Sequence, residues 1–151
     1  MGALIRALWS ILTLAPLLAL IACVDPVTLA PRHGSPAAPV CRVTYVVDGD
    51  TVHMNCGGGA MKVRLLGFDT PEVFSPSCRR EKAAGDAATR ALTALVRSAP
   101  VTSAVFHGHD RYGRNLARVA IGGQEVAGYM IGLGLALPYH GHRRPNWCAR
   151  L

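Results

Sequence analysis

Three short stretches near the middle of the chain alternate between apolar and polar residues. They cover residues 43–47, 51–55 and 61–66, and the turns between them contain the sequence DGD and three consecutive glycines. Successive side chains of a strand point to opposite faces, so this alternation is typical of half-buried strands. The Asp-Gly turn favours a tight antiparallel connection. The pattern therefore predicts a three-stranded antiparallel meander.

A helical pattern and two more alternating stretches follow. Apolar residues recur every three or four positions over residues 85–99, and Pro100 cannot continue a helix. Residues 101–107 and 115–121 are typical of strands, and residues 124–133 of a short second helix. The predicted order is therefore βββ-α-ββ-α. A mainly β (α+β) fold with five short antiparallel strands and two helices suits a five-stranded OB-fold barrel.

The start of the chain needs a separate explanation. Residues 4–22 are apolar apart from Arg6 and two hydroxyl residues, and their length approaches that of a membrane span. This block follows a single basic residue and ends in small residues before Cys23, which is the layout of a secretory signal. We therefore expect residues 1–22 to be a signal peptide and the protein to be exported.

The end of this block also resembles a lipidation signal. Residues 20–23 read LIAC and match a bacterial lipobox, in which the cysteine becomes lipidated after cleavage. A cleaved signal that happens to contain Cys23, and an uncleaved anchor, are the alternatives. The expected location is therefore that of a membrane-anchored lipoprotein or of a secreted or periplasmic protein.

The composition changes again after the predicted signal. Residues 23–40 are rich in proline and lack apolar periodicity, which predicts a flexible tether. Residues 41–151 then form the predicted folded domain, with 14 Lys and Arg residues against eight Asp and Glu residues. A basic surface attracts polyanions such as nucleic acids.

Four cysteines follow the predicted signal, and they are Cys41, Cys56, Cys78 and Cys148. An even number in a small exported domain predicts two disulfides, for which three pairings exist. Cys41 and Cys56 flank the Asp-Gly turn at nearly equal distances, so they can face each other across a hairpin. We therefore prefer Cys41 with Cys56 and Cys78 with Cys148, and the other two pairings stay open.

Carboxylates and arginines cluster at the predicted turns. The meander can bring Asp50, in the Asp-Gly turn, close to Asp69, which follows the third strand. Two carboxylates at short range repel each other, and calcium relieves that repulsion because it is a hard cation that prefers oxygen ligands. Arg114 has a planar guanidinium suited to two phosphate oxygens, and Tyr112 can stack on a base or sugar.

Five sequence blocks in a fixed order resemble the staphylococcal nuclease (thermonuclease) family. The blocks are VVDGDTV, VRLLGFDTPE, EKAAG, DRYGRNLA and YMIGLGLA, and they cover about residues 43–139. Steps of 14 residues from Asp50 to Arg64 and of five residues from Arg64 to Asp69 make the resemblance specific. The resemblance implies an SNase-like OB-fold barrel and calcium-dependent hydrolysis of DNA and RNA to products with a 3′-phosphate.

The resemblance also implies a metal site and a base. Asp50 and Asp69 would be the calcium carboxylates, and Thr70 would contribute its backbone carbonyl. Glu72 would be the general base or the residue that orients the attacking water.

The substrate contacts follow from the same resemblance. Arg64 and Arg114 would hold the scissile phosphate, and Tyr112 matches a nucleotide-contacting position. Tyr139 lies near a second such position. Because these groups recognise phosphate rather than base edges, we expect action on DNA and RNA without sequence preference. We also expect the protein to be a monomer.

The chain departs from the family pattern after Tyr139. Residues 141–145 do not look helical, whereas the best-known members continue into a C-terminal helix, so we expect a disulfide through Cys148 to anchor this segment instead. The alternative function is a non-catalytic nucleic-acid-binding OB-fold module, because some domains of the family lack the catalytic residues. The complete set of charged residues in this sequence favours the enzyme.

Overall fold

The structure is a computed structural model that describes residues 40–151. The predicted signal peptide, Cys23 and the predicted tether up to residue 39 lie outside the described residues. Neither α-helix of the described part combines the length and the apolar character needed to cross a bilayer. In chain order, its elements are β1 Arg42–Val46, β2 Thr51–Asn55, β3 Ala60–Leu65, β4 Gly67–Asp69, α1 Arg79–Ser98, β5 Val101–His109, β6 Asn115–Ile121, β7 Gln124–Glu125, α2 Val126–Gly132, β8 Leu137–Tyr139 and a 3₁₀-helix Trp147–Ala149.

The first three strands form the predicted antiparallel meander. β2 pairs with β1 on one side and with β3 on the other, and Val52 lies opposite Val63 in the second pairing. Both valines are fully buried, whereas the next pair, His53 and Lys62, belongs to the other face of the sheet. The bounds of β2 match the predicted residues 51–55, and β1 and β3 each begin one residue earlier than predicted.

The later strands extend the meander into an open sheet. β6 runs parallel to β3 and antiparallel to β5, so the order is β1-β2-β3-β6-β5, with β7 added on β6. Within residues 40–151, β1 and β5 do not pair, so the predicted closed five-stranded barrel is not confirmed. β4 and β8 form a separate two-stranded sheet, in which Asp69 lies opposite Leu137. The class is the predicted mixture of a mostly sheet core with two helices.

The first helix is longer than its apolar pattern predicts. α1 begins at Arg79, six residues before the predicted start, and ends at Ser98 ahead of Pro100. Its first turns bury Glu81 rather than an apolar side chain, while Ala88 and Leu92 face the core further along. The first turns of α1 bury a carboxylate rather than apolar side chains, so the apolar pattern does not include them. The predicted start of the helix was therefore six residues too late.

Apolar side chains from the sheet and from both helices form one core. The largest fully buried ones include Phe68, Met54, Leu92 and Met130. Burying a side chain of this size contributes about 1.5–3 kcal/mol relative to leaving it exposed. Phe68 directly precedes Asp69, so the core also fixes the start of the loop that carries the candidate site.

Two disulfides join distant parts of the described chain. Cys41 is linked to Cys56 across the open end of the β1–β2 hairpin, and Cys78 to Cys148 across 70 residues. This is the preferred one of the three pairings. The second disulfide holds the C-terminal segment next to the N-terminus of α1.

Candidate active site

One cavity of about 890 Å³ lies beside the ends of β3 and β4 and the loop before α1. Most of the site residues predicted from the sequence line it. They are Asp50, Arg64, Thr70, Glu72, Tyr112, Arg114 and Tyr139. Asp69 is fully buried, and it contacts two arginines of the lining. The fold therefore gathers residues from four separate stretches of chain around one space.

Arg64 joins the two aspartates of the cluster. It lies on β3 opposite Thr51, so its side chain reaches the Asp-Gly turn. Its Nη1 pairs with Oδ1 of Asp50, and its Nη2 lies 3.1 Å from Oδ1 of Asp69. All three side chains are largely shielded from water. Because one guanidinium spans both carboxylates, the two aspartates converge on the same point.

Thr70 holds the Asp50 carboxylate from the other side. Its backbone N–H and its hydroxyl both donate to Oδ2 of Asp50, at 3.3 and 3.1 Å. Gly49 permits this approach, because a Cβ at that position would lie 2.8 Å from the Thr70 hydroxyl oxygen and 2.8 Å from the Ala88 Cβ. The glycine of the Asp-Gly turn is therefore needed for close packing as well as for the turn.

Asp48 is a site residue that the sequence identified only as part of a turn. It lines the same cavity, and its Oδ1 accepts the backbone N–H of Asp50 at 3.0 Å. Burial and the negative charge of Asp50 raise the pKa of Asp48 to about 6. Asp48 is therefore a carboxyl that titrates close to neutral pH.

Glu72 is held by the loop that follows it. Its Oε1 accepts the backbone N–H groups of Val73 and Phe74, at 2.9 and 3.1 Å. Burial would raise the pKa of Glu72, but these two hydrogen bonds and the Arg144 guanidinium outweigh burial and lower it. Glu72 is therefore an ionised carboxylate at neutral pH, with one oxygen fixed by the backbone.

Glu81 supports this loop from α1. It is buried, and its two oxygens accept the backbone N–H groups of Glu72 at 3.4 Å and of Ser77 at 2.6 Å. Glu81 therefore fixes both ends of the loop that carries Glu72. It belongs to the block EKAAG, but nothing in a sequence pattern distinguishes a buried glutamate from an exposed one.

Arg114 is oriented by Asp110, four residues earlier. Its Nε donates to Oδ2 of Asp110 at 2.7 Å, while Oδ1 accepts the backbone N–H groups of Tyr112 and Arg114. Burial would raise the pKa of Asp110, but these hydrogen bonds and the charge of Arg114 lower it. Nη1 of Arg114 reaches the Thr51 hydroxyl at 3.4 Å, and Nη2 has no hydrogen-bond partner within residues 40–151. The guanidinium therefore keeps donors available to a ligand.

Two tyrosines line the cavity near these charges. The Tyr112 side chain is highly exposed, and the guanidinium carbons of Arg111 and Arg114 lie 4.8 and 5.7 Å from the centre of its ring. An exposed ring beside cations is suited to stacking on a nucleobase. Tyr139 lies on β8 and donates its hydroxyl to the backbone oxygen of His142 at 2.7 Å.

Two residues of the C-terminal segment enter the site although no motif of the sequence identified them. Arg144 Nε lies 2.8 Å from Oδ1 of Asp69, and its Nη groups reach the Thr70 carbonyl at 3.3 Å and Oε2 of Glu72 at 3.4 Å. Trp147 donates its indole N–H to Oδ2 of Asp69 at 3.0 Å. Burial would lower the pKa of Arg144, but the charge of Asp69 outweighs burial and raises it. Only the preferred pairing of the last two cysteines indicated that this segment lies nearby.

The oxygen atoms of the cluster fit a hard divalent cation. Asp50 and Asp69 offer carboxylate oxygens and Thr70 offers a backbone carbonyl, which are the ligand types that calcium takes. The Arg144 guanidinium is a stand-in for such a cation, because it already contacts oxygens of Asp69 and Thr70. The oxygens of Asp69 and Thr70 therefore already converge on one positive charge.

Comparisons with known proteins agree on one family. The family model described as Staphylococcal nuclease homologue matches residues 62–148. A protein of Escherichia coli O157:H7 named Uncharacterized endonuclease is 34% identical over 115 residues, which are 76% of this chain and 65% of that protein. The SPbeta prophage-derived endonuclease YokF of Bacillus subtilis is 37% identical over 93 residues, 60% of this chain and 31% of YokF. The Thermonuclease of Staphylococcus hyicus is 31% identical over 81 residues, 54% of this chain and 48% of that enzyme. The chain thus spans less than two thirds of the length of these relatives.

Proposed function

The chain belongs to the staphylococcal nuclease family, and we propose that it is a nuclease that hydrolyses the phosphodiester bonds of DNA and RNA. One observation carries this proposal: a single cavity collects Arg64 and Arg114, the ionised Glu72 and oxygens of Asp50 and Thr70 from separate stretches of chain. We also propose that calcium is the cofactor, that the products carry a 3′-phosphate, and that the protein acts outside the cytoplasm.

Arg64 and Arg114 would stabilise the transition state. Attack of water on phosphorus increases the negative charge on the phosphate oxygens, and fixed donors aimed at that charge lower the barrier. Arg64 is held in place by two buried aspartates, and Arg114 by Asp110. Arg114 therefore needs little reorganisation during the reaction, whereas Arg64 would share its Nη groups between the aspartates and the phosphate. Loss of one such donor typically costs about 10²–10³-fold in rate.

Glu72 would act on the attacking water. Its lowered pKa keeps it ionised at neutral pH, so it can accept a proton from water or orient it. The backbone N–H groups of Val73 and Phe74 fix one of its oxygens and leave Oε2 on the side of Arg144. A positioned general base typically contributes about 10²–10⁴-fold.

Asp50, Asp69 and the carbonyl of Thr70 would hold the calcium ion. When bound there, calcium would supply Lewis-acid stabilisation of the charge on the phosphate. Because this site offers few protein ligands, its affinity should resemble that of extracellular modules, at about 10⁻⁴–10⁻³ M. Such an affinity suits a protein that works where calcium is abundant, in agreement with the proposed export.

The substrate would be recognised by its charge and its stacked bases. The predicted folded domain is basic, and basic surfaces bind nucleic-acid backbones of any sequence. Tyr112 is exposed at the cavity and offers a ring on which any base can stack. Both contacts are independent of sequence, which supports broad specificity on DNA and RNA.

A nuclease assay with matched variants tests the proposal. Purified protein is incubated with plasmid DNA or with RNA, in calcium or in chelator, and cleavage is expected only with calcium. Glu72→Gln and Arg114→Ala should each lose at least about 10²-fold in rate. Glu125→Gln and Arg90→Ala remove the same charges at exposed positions outside the cavity and should retain the activity. Binding without cleavage would instead support a non-catalytic module.

Two further measurements test the finer parts of the proposal. DNA fragments that end in a 3′-phosphate cannot be extended by a polymerase until a phosphatase has removed that group. Extension without phosphatase would contradict the proposed product. For the location, we propose that Cys23 carries a lipid, so Cys23→Ser should release the protein from the membrane fraction. If the variant and the parent fractionate alike, the lipid anchor is wrong.

A further inference from the structure

Arg144 contacts the oxygens to which the proposed function assigns both calcium and the attacking water. Its guanidinium reaches Oδ1 of Asp69 at 2.8 Å, the carbonyl of Thr70 at 3.3 Å and Oε2 of Glu72 at 3.4 Å. Asp69 and Thr70 belong to the proposed calcium ligands, and Glu72 is the proposed base. One side chain of the C-terminal segment therefore holds the metal oxygens and the base together.

Exposure and position in the fold distinguish Arg144 from Arg64, the other arginine that contacts these carboxylates. Asp50, Asp69 and Glu72 provide three carboxylates, and Arg64 and Arg144 contact them. The Arg64 side chain is only 11% exposed and belongs to the sheet, whereas that of Arg144 is 48% exposed and belongs to a loop. A divalent cation on the same oxygens would repel the guanidinium at contact distance. Arg144 is the cation that can move away.

The C-terminal segment keeps Arg144 close to the site. Trp147 is buried and bonded to Asp69, and Cys148 is linked to Cys78 at the start of α1. Arg144 thus lies three and four residues from two fixed points. A tethered group competes at a high effective concentration even where each contact is modest.

We propose that Arg144 is an intramolecular competitor of calcium, which the ion must displace from Asp69 and Thr70 before the site is complete. This inference rests on the proposed function and adds its regulation. Displacement of Arg144 also frees Oε2 of Glu72, so metal binding and release of the base occur together. The C-terminal segment then sets the calcium concentration at which the enzyme works.

Calorimetric titration of the full chain with calcium chloride, without nucleic acid, tests this directly. Arg144→Gln removes the competing charge and should bind calcium about tenfold more tightly than the parent protein. Arg143→Gln removes the same charge from the neighbouring position, which is exposed and does not line the cavity, and should leave the affinity unchanged. The calcium concentration for half-maximal cleavage should fall by the same factor in Arg144→Gln only.

A second pair of variants addresses the tether and keeps the test valid if Arg144→Gln folds poorly. Cys78→Ser with Cys148→Ser removes one of the two fixed points of the C-terminal segment, which weakens the tether on Arg144 and should also tighten calcium binding. Cys41→Ser with Cys56→Ser removes the disulfide at the far end of the β1–β2 hairpin and should not.

The outcomes separate this inference from the proposed function. If the parent chain binds calcium but neither Arg144→Gln nor loss of the Cys78–Cys148 disulfide tightens binding, Arg144 is not a competitor and the nuclease proposal stands. If calcium binds to none of the proteins, the proposed metal site fails, and the competition fails with it.

Discussion

Trp147 donates its indole N–H to Oδ2 of Asp69 at 3.0 Å, and both side chains are buried. The two residues lie 78 positions apart. This hydrogen bond fixes the orientation of a proposed calcium ligand and anchors the C-terminal segment at the same time. It therefore links the stability of the fold to the geometry of the site.

Because of this hydrogen bond, replacing Trp147 should lower the stability of the fold. Trp147→Phe keeps an aromatic ring but leaves a buried carboxylate oxygen without its donor. We expect the free energy of unfolding to fall by about 1–3 kcal/mol, measured by urea denaturation followed by circular dichroism. Tyr139→Phe removes a hydrogen bond at the surface and should cost clearly less. If the two variants lower the free energy of unfolding equally, the hydrogen bond from the indole N–H to Asp69 does not contribute as proposed.

A glycine in α1 controls the position of the Glu72 loop. A Cβ on Gly85 would lie 2.8 Å from the carbonyl oxygen of Pro71 and 3.0 Å from that of Glu72. Gly85→Ala should therefore destabilise the protein by about 1–3 kcal/mol and lower the cleavage rate, although alanine is the better helix former. Gly128→Ala, in α2, adds a Cβ in open space and should stabilise by up to about 1 kcal/mol. A Gly85→Ala protein as stable as Gly128→Ala would contradict the close approach.

Asp110 acts through Arg114. Asp110→Asn preserves the size of the side chain, but it removes the charge that holds Arg114 Nε at 2.7 Å. We expect the cleavage rate to fall about five- to tenfold because the guanidinium is less well oriented. Calcium affinity, measured by calorimetry, should not change, since Asp110 contacts none of the proposed ligands. A change in calcium affinity instead of rate would assign Asp110 a different role.

Asp48 predicts an unusual dependence of stability on pH. Burial and the charge of Asp50 raise its pKa from 3.8 to about 6, so the folded chain binds this proton more tightly than the unfolded chain. The contribution of Asp48 to the free energy of unfolding is therefore complete below about pH 4. This contribution, up to about 3 kcal/mol, is lost as the pH rises through about 6. Glu72 and Asp110 have lowered pKa values and act in the opposite direction, at more acidic pH.

The measurement compares the parent protein with Asp48→Asn. Urea denaturation in chelator, between pH 4.5 and 7, excludes any effect of calcium on the carboxylates. Asparagine keeps an oxygen that can accept the Asp50 N–H but cannot ionise. The variant should lose the decline of stability with pH in this range. If both proteins decline alike, another group is responsible.

Local features of this chain could be read from its residues. Alternation of apolar and polar side chains has a period of two, which only neighbouring residues determine, so the meander and the bounds of β2 and β6 were predicted correctly. The position of two cysteines on either side of one turn indicated the first disulfide for the same reason. The motif blocks likewise identified Asp50, Arg64, Glu72 and Arg114, which line the cavity.

Other features depend on contacts between residues far apart in the chain. β4, β7 and β8 have two or three residues each, too few for a pattern, and they are strands only because of the partners they meet. The chain order and composition favoured a closed barrel, but pairing between edge strands depends on how the whole sheet curves. Arg144 and Trp147 reach Asp69 across 75 and 78 residues, which no local periodicity records. The sequence by itself thus determined which side chains are available for chemistry. Only the tertiary structure decided that the Arg144 guanidinium contacts Asp69 and Glu72, because three-dimensional packing brings the C-terminal segment to these carboxylates.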